Sequence, residues 1–414
     1  MLRNFKLALV AFALPSVVLA LNVTAVQPAA AQPASPPSQW PQATPGPHTP
    51  PRGEWWHRDP SDFGLNNAAI AEAIKWAQTQ DSGWDFGKQP ELFGLPIGPL
   101  PASRAPTNGV IVMHGYIIAE FGDINAVDPT YSAAKSYLST ILGLTLDRGM
   151  IESITDPLAK YIHDGGYTDP AGTQPHNSKI TWQHHATQTS EWQGEMFGKP
   201  STFLGAEQFG KGAMKPREIK DPGTYFEYND VRINRFSLSL LRLWKRPLPD
   251  VLKTEIMDPI GASDTWKWIP YDNAAVDVEN PDGKTVPMPS VSGGTRWGGG
   301  LWISTLDHAR FGLLILRHGN WNGKQLISKE WLDQATHPHP ELPGAKPDYG
   351  YLWWLNTTNA WPAAPKSSFA AIGAGNNTIW IDPEHDLVVV WRWHKQDAQA
   401  EFYKRILAAF PANK

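Results

Sequence analysis

Ser132 and Lys135 stand three residues apart at the head of the apolar stretch Tyr131 to Glu152, "YSAAKSYLSTILGLTLDRGMIE". On a helix that spacing puts two side chains on one face, with Cβ atoms about 5–6 Å apart, so a serine Oγ and a lysine Nζ can meet. Tyr137, Leu138, Ile141, Leu142, Leu144 and Leu146 make the stretch apolar around much of its circumference, the pattern of a helix inside the protein. Burial disfavours a charged ammonium, and the positive end of the helix dipole acts in the same direction. Lys135 is therefore expected to have a lowered pKa. A neutral amine beside a serine hydroxyl can take its proton and make it a nucleophile. The same helix end would offer backbone N–H groups to an oxyanion. Of all the serines, only Ser132 has a lysine three residues on. The alternative is a helix-capping serine beside a lysine that snorkels to the surface.

The surrounding elements must hold this pair. "GVIVMHGYIIAEFG" (109–122) reads as two strands turned at His114-Gly115, because β-branched residues cluster on both sides of a glycine. Before it, "LNNAAIAEAIKWAQTQ" places Ala68, Ile70, Ala71, Ile74 and Trp76 at helical spacing. Residues 151 to about 290 are loop-rich and helical, with weak strand signals and "DPLAKYIH", "TWQHHATQTSEW" and "NDVRINRFSLSLLRLWKR" as the clearest pieces. Strand patterns return at "DYGYLWWLN", "NTIWID" and "LVVVWRW", ahead of the helix "AQAEFYKRILAAF". Strands at both ends with a helical block between them predict an α/β fold of the α+β type. In it, one antiparallel sheet flanked by helices is built from the N- and C-terminal parts, and the helical part is inserted as a second lobe. The expected lobes are 65–150 with 291–414, and 151–290, with the ligand cleft between them.

With those segments in hand, the chain resembles the serine β-lactamase-related superfamily: class C β-lactamases, DD-peptidases, esterases and 6-aminohexanoate oligomer hydrolases. The resemblance runs from about Leu65 to the C-terminus in the family's order. "GVIVMHGYIIAEFG" is similar to the opening hairpin, and "YSAAKSYLSTILGLTLDRGMI" to the Ser-x-x-Lys helix. "KITWQHHATQTSEW" is similar to the segment leading into the lobe loop, and "DPGTYFEYNDVRINRFSLSLL" to the Tyr-x-Asn region. "WGGGLWISTLDHARFGLLIL" resembles the glycine-rich turn and helix, and "IWIDPEHDLVVVWRW" the last strand pair. The resemblance implies a β-lactamase/transpeptidase-like fold and a serine hydrolase domain over 65–414. In it Ser132 is the nucleophile, and Lys135 and Tyr228 move protons. Asp230 stands where the family usually has Asn, and its charge beside Lys135 would oppose the lowering expected from burial. Lys135 as a free base, or a Lys135, Tyr228 and Asp230 network sharing one proton, both remain open at this point. The third family motif, a cation, a hydroxyl and a glycine, falls on Ala371-Ile372-Gly373 in "FAAIGAGNN", which keeps only the glycine. Backbone N–H groups of Gly373, Ala374 and Gly375 could complete an oxyanion hole, but alanine and isoleucine cannot grip a substrate carboxylate. An ester or amide is therefore expected over a β-lactam or a DD-peptide. A catalytically silent relative that binds cell-wall fragments or glycans through its tryptophans is the reading from another class.

The chain has 414 residues, 41% hydrophobic and 18% charged, enough to bury a large core. A net charge of −4 gives no basic stripe and argues against nucleic acid, leaving a small-molecule or short oligomeric acyl substrate as the expected partner. There is no cysteine, so disulfides and cysteine lipidation are excluded. Arg3 and Lys6, an apolar run from Leu7 to Leu21 and Ala29-Ala30-Ala31 read as a signal peptide over 1–31, with no stable membrane span expected after its removal. Export to a bacterial periplasm or beyond follows. Residues 32–64 read as a Pro-rich arm that Trp55 and Trp56 dock onto the body. "GAEQFGKG" (205–212) nearly spells a phosphate loop but has Gly212 where Ser or Thr should stand. His184-His185 lacks metal-ligand spacing, so neither a metal nor a cofactor is expected. No Gly-x-Ser-x-Gly elbow occurs. The 20 tryptophans, among them Trp297, Trp353 and Trp354, could line an aromatic cleft, although large aromatics are usually core.

Overall fold

The computed structural model describes residues 47–411 except 90–93, 95, 169–174, 203–216 and 295–296. Residues 1–31, read as a signal peptide, the first part of the arm and the near-phosphate loop at 205–212 lie outside the described residues.

A six-stranded antiparallel sheet joins β1 (Asn108–Met113) and β2 (Tyr116–Phe121) to β7 (Trp354–Leu355), β8 (Phe369–Gly373), β9 (Asn377–Asp382) and β10 (Leu387–Arg392), in the order β7-β8-β9-β10-β1-β2. The expected two-part assembly is realised at its centre, where Asn108 faces Arg392 and Met113 faces Leu387. His114 and Gly115 both take positive φ, 52° and 85°, the backbone twist that a two-residue hairpin turn requires. β1, β9 and β10 are buried at every position, which explains runs such as "GVIVM" that lack polar alternation. Ile111, Met113, Trp380, Val389 and Trp391 face α1 (Asn67–Gln78) and α7 (Gln399–Leu407). Val110, Val112, Ile379, Val388 and Val390 face α2 (Ala134–Asp147) and α6 (Thr305–Leu316). In α1 the buried stripe is Ile70, Ala73 and Ala77, while Ala68 and Ala71 are exposed.

The inserted segment carries α3 (Trp182–Ala186), α4 (Asp230–Trp244) and α5 (Leu248–Leu252). It also contributes the hairpin of β4 (Lys267–Glu279) and β5 (Thr285–Val291), which joins β3 (Asp128–Pro129) and β6 (Gly300–Ile303) in the order β3-β6-β4-β5. This hairpin differs from the weak-strand reading of 151–290, and the cause is its prolines. Pro287 and Pro289 lie on the edge strand β5, and Pro270 lies at a register shift, both places where a missing N–H is tolerated. "DYGYLWWLN" contributes only two paired residues, Trp354 opposite Ala370 and Leu355 opposite Phe369.

The arm from residue 47 is tied down. Arg310 donates to the Pro50, Pro51 and Glu54 carbonyls, and its guanidinium lies 5.0 Å from the Trp55 ring. Trp55 packs against the core, whereas Trp56 stacks on His48 at 4.2 Å, lies 6.5 Å from the Tyr116 ring and stays 48% exposed. Among the described residues no helix is long and apolar enough to cross a membrane.

Candidate active site

Ser132 sits in a single 3₁₀ turn, Tyr131–Ala133, that leads into α2, and its side chain caps nothing. The turn is held in an unusual conformation: Tyr131 is buried with φ 49°, a region that non-glycine residues occupy at a cost. Trp84 Nε1 donates to the Tyr131 hydroxyl at 3.2 Å, and Gln89 also bonds that hydroxyl. Behind the turn, buried Arg392 donates to the carbonyls of Asp128, Pro129 and Ile303 and to Asn377 Oδ1, tying β10 to β3 and β6. Burial lowers its pKa to about 10.

The structure places Lys135 Nζ 2.9 Å from Ser132 Oγ and 2.7 Å from Asp230 Oδ1. The side chains of Lys135 and Asp230 are only 2% and 6% exposed, so the snorkelling alternative does not apply. Ser132 Oγ donates to the Gly294 carbonyl at 3.3 Å. Lys135 is thus paired with Asp230 in a buried salt bridge, and Ser132 Oγ lies within hydrogen-bond reach of a backbone carbonyl. The solitary buried amine expected from the helix pattern is replaced by a charge-paired one, because Asp230 reaches it from another helix. A carboxylate at this distance favours the ammonium and offsets desolvation.

α4 brings Asp230 there. Asn229 caps the helix by accepting from Arg232 N at 3.0 Å, and its own N–H donates to Gln188 Oε1 at 3.1 Å. One turn further on, Asn234 Oδ1 accepts from Gly293 N at 3.2 Å, so the same helix face holds the Gly293-Gly294 segment against Ser132. Tyr228 precedes the cap. Lys135 Nζ lies 4.8 Å from its ring centroid, Trp354 stacks on the ring at 5.8 Å and 25°, and Tyr349 meets it edge-on at 6.3 Å. Burial holds the Tyr349 hydroxyl well above its ordinary range, with Tyr228 adding to the effect, so Tyr349 stays neutral. The approach to Tyr228 is fixed by a buried network in which Arg232 and Arg217 both pair with Glu191 and Glu227.

Ala371, Ile372 and Gly373 form the end of β8, beyond the residues that β7 pairs. A Cβ on Gly373 would stand 1.9 Å from Thr130 O and 3.1 Å from Ala133 N, so β8 lies against the Ser132 turn itself. Ala374 packs beside Tyr131 and Trp393, and its carbonyl accepts from Asn377 Nδ2 at 2.7 Å. The structure therefore groups Ser132, Lys135, Tyr228 and Asp230, with the strand end Gly373, Ala374 and Gly375 beside the turn. Trp297 and Trp353 are core, 1% and 0% exposed, whereas Trp354 reaches Tyr228. His185 is buried against Phe236 and hydrogen-bonded to Tyr167, and burial pushes its pKa well down. Among the described residues no group of three or more His, Asp or Glu is placed to hold a metal. Sequence reasoning missed Tyr131, Asn234, Gly294, Tyr349 and Arg392. Only the Gly293-Gly294 pair carried a local signal of close approach.

The family model described as Beta-lactamase matches residues 125–413. An uncharacterised protein of Alkalihalophilus pseudofirmus is 22% identical over 285 residues, covering 63% of this chain and 71% of that one. Among solved structures, a putative 6-aminohexanoate-dimer hydrolase from Bacillus anthracis is similar with a TM-score of 0.51 at 18% identity, over 74% of this chain and 78% of that chain. Unliganded simvastatin synthase from Aspergillus terreus gives 0.56 at 14% identity, over 83% and 99%. These likenesses concern the fold. The family match spans the turn at Ser132, the Asp230 helix and the β8 end, and it places the chain: it belongs to the beta-lactamase family, within the superfamily of serine hydrolases.

Proposed function

We propose that the protein is an exported serine hydrolase that cleaves an ester or amide through an acyl-enzyme on Ser132. The observation that carries this reading is the buried contact of Lys135 Nζ with Ser132 Oγ at 2.9 Å. Ser132 cannot lose its proton to an ammonium, so Lys135 first passes a proton to Asp230 Oδ1, 2.7 Å away, leaving a neutral amine beside a neutral acid. Both groups are desolvated, which lowers the cost of exchanging an ion pair for a neutral one. The amine takes the Ser132 proton as Oγ bonds to the carbonyl carbon, and the carbonyl oxygen becomes an oxyanion. The N–H groups of Ser132 and Ala374 receive it, a role supported by the packing of β8 against the nucleophile turn. As the tetrahedral species collapses, the bond to the leaving group breaks. The proton on Lys135 reaches that group through Tyr228. Water then repeats the sequence on the acyl-enzyme and releases the acid, and Asp230 returns its proton to Lys135.

Substrate choice follows from β8. Ala371 and Ile372 offer no cation or hydroxyl to a carboxylate beside the scissile bond, and Asp230 adds negative charge. Uncharged acyl substrates are favoured over β-lactams and DD-peptides. The leader over 1–31, read from Arg3, Lys6 and the apolar run, supports export to the periplasm or beyond.

The experiment compares 4-nitrophenyl acetate with nitrocefin under one set of conditions. The expected kcat/KM is about 10²-fold or more higher for the ester, the scale of losing a charge-assisted pair. Equal or faster nitrocefin hydrolysis would restore the β-lactamase reading.

A further inference from the structure

We propose that Trp354 is a positioning residue for proton delivery to the leaving group, acting through Tyr228. This rests on the Ser132 reading above. Tyr228 is clamped between two groups that do not belong to its own segment. On one side Lys135 Nζ lies 4.8 Å from the ring centroid; Trp354 stacks on the ring at 5.8 Å and 25°. Tyr349 closes the cage edge-on, 6.3 Å from Tyr228 and 4.9 Å from Trp354.

Trp354 is suited to this place by its own anchoring. It starts the two-residue β7, pairs with Ala370 of β8, and packs against both the lobe core and the sheet core. The indole plane is therefore referred to the same strand whose end lies against the nucleophile turn. Trp354 consequently fixes the tilt of the Tyr228 ring, and with it the direction of the phenol, relative to Ser132. Offset stacking of this kind is directional where an aliphatic side chain of similar bulk is not.

The experiment uses two acetate esters with the same acyl group, 4-nitrophenyl acetate, whose phenolate leaves without a proton, and benzyl acetate, whose alkoxide needs one. Trp354→Leu keeps bulk and removes the ring plane; Trp354→Phe keeps a ring. Trp354→Leu is expected to lower kcat/KM for benzyl acetate by about 10²-fold, the scale of positioned proton transfer, and for 4-nitrophenyl acetate by less than about threefold. Trp354→Phe is expected to recover most of the loss. Labelling of Ser132 by a fluorophosphonate, which reports the nucleophile alone, is expected to proceed at an unchanged rate in both variants. Equal losses on the two esters, no loss on either, or a wild-type protein that labels at Ser132 yet turns over neither ester would each overturn the role of Trp354. Failure of wild-type Ser132 to label would instead overturn the reading on which it rests.

Discussion

Lys135→Met is expected to abolish acyl transfer and to destabilise the fold by about 3–5 kcal/mol, the range for removing one partner of a buried ion pair. The size follows from what is left behind. Asp230 is 4% exposed, its Oδ1 receives Lys135 Nζ at 2.7 Å, and methionine can neither donate to it nor neutralise it. The double variant Lys135→Met with Asp230→Asn carries no such orphaned charge, and unfolding in urea is expected to show most of the stability recovered. Its activity is expected to stay absent, because the amine that takes the Ser132 proton is gone. This dissociation of stability from activity separates the two jobs of one side chain. A single Lys135→Met variant as stable as the parent would show that Asp230 finds another partner, and would remove the basis for a charge-paired lysine.

Gly294→Ala is expected to lower kcat by about 10²-fold, the penalty for misplacing a reacting atom by about an ångström. Two effects combine at this position. Gly294 takes φ 86°, where an L side chain costs about 1–2 kcal/mol. Its Cβ would stand 2.0 Å from Tyr131 O and 2.8 Å from Ser132 Cα, so the nucleophile turn must move. Gly283, at φ 76° in the turn between β4 and β5, has open space around it. Gly283→Ala is thus the control: a similar backbone cost with activity within about twofold, since nothing near Ser132 is displaced. Comparable activity losses in both variants would mean that the clash at Ser132 is not the cause. Steady-state kinetics beside thermal unfolding of each protein decide between them.

What could be read from the sequence depended on how far apart the cooperating residues lie. Ser132 and Lys135 are one helical turn apart, so their meeting is a local property and needed no tertiary information. The sheet was legible for a related reason: strands buried on both faces announce themselves as unbroken β-branched runs. Trp353 and Trp354 show the limit. They are adjacent and chemically identical, yet Trp353 is fully buried and Trp354 stacks on Tyr228, and only the short pairing of β7 with β8 distinguishes them. Arg392 carries no local signal in "LVVVWRW", and its role appears only in the fold, where it is buried with its donors on the Asp128, Pro129 and Ile303 carbonyls. The β4–β5 hairpin was hidden by prolines that its edge position and register shift accommodate. Asp230 falls between these cases. Its departure from the family pattern was visible, but its pairing with Lys135 needed the geometry of α4 against α2.

The most direct measurement is labelling of the protein with a fluorophosphonate probe, followed by mass spectrometry of the peptides. The expected result is a single adduct on Ser132, with neither adduct nor ester hydrolysis in Ser132→Ala. An adduct on another residue, or ester hydrolysis that persists in Ser132→Ala, would contradict the assignment of Ser132 as the nucleophile.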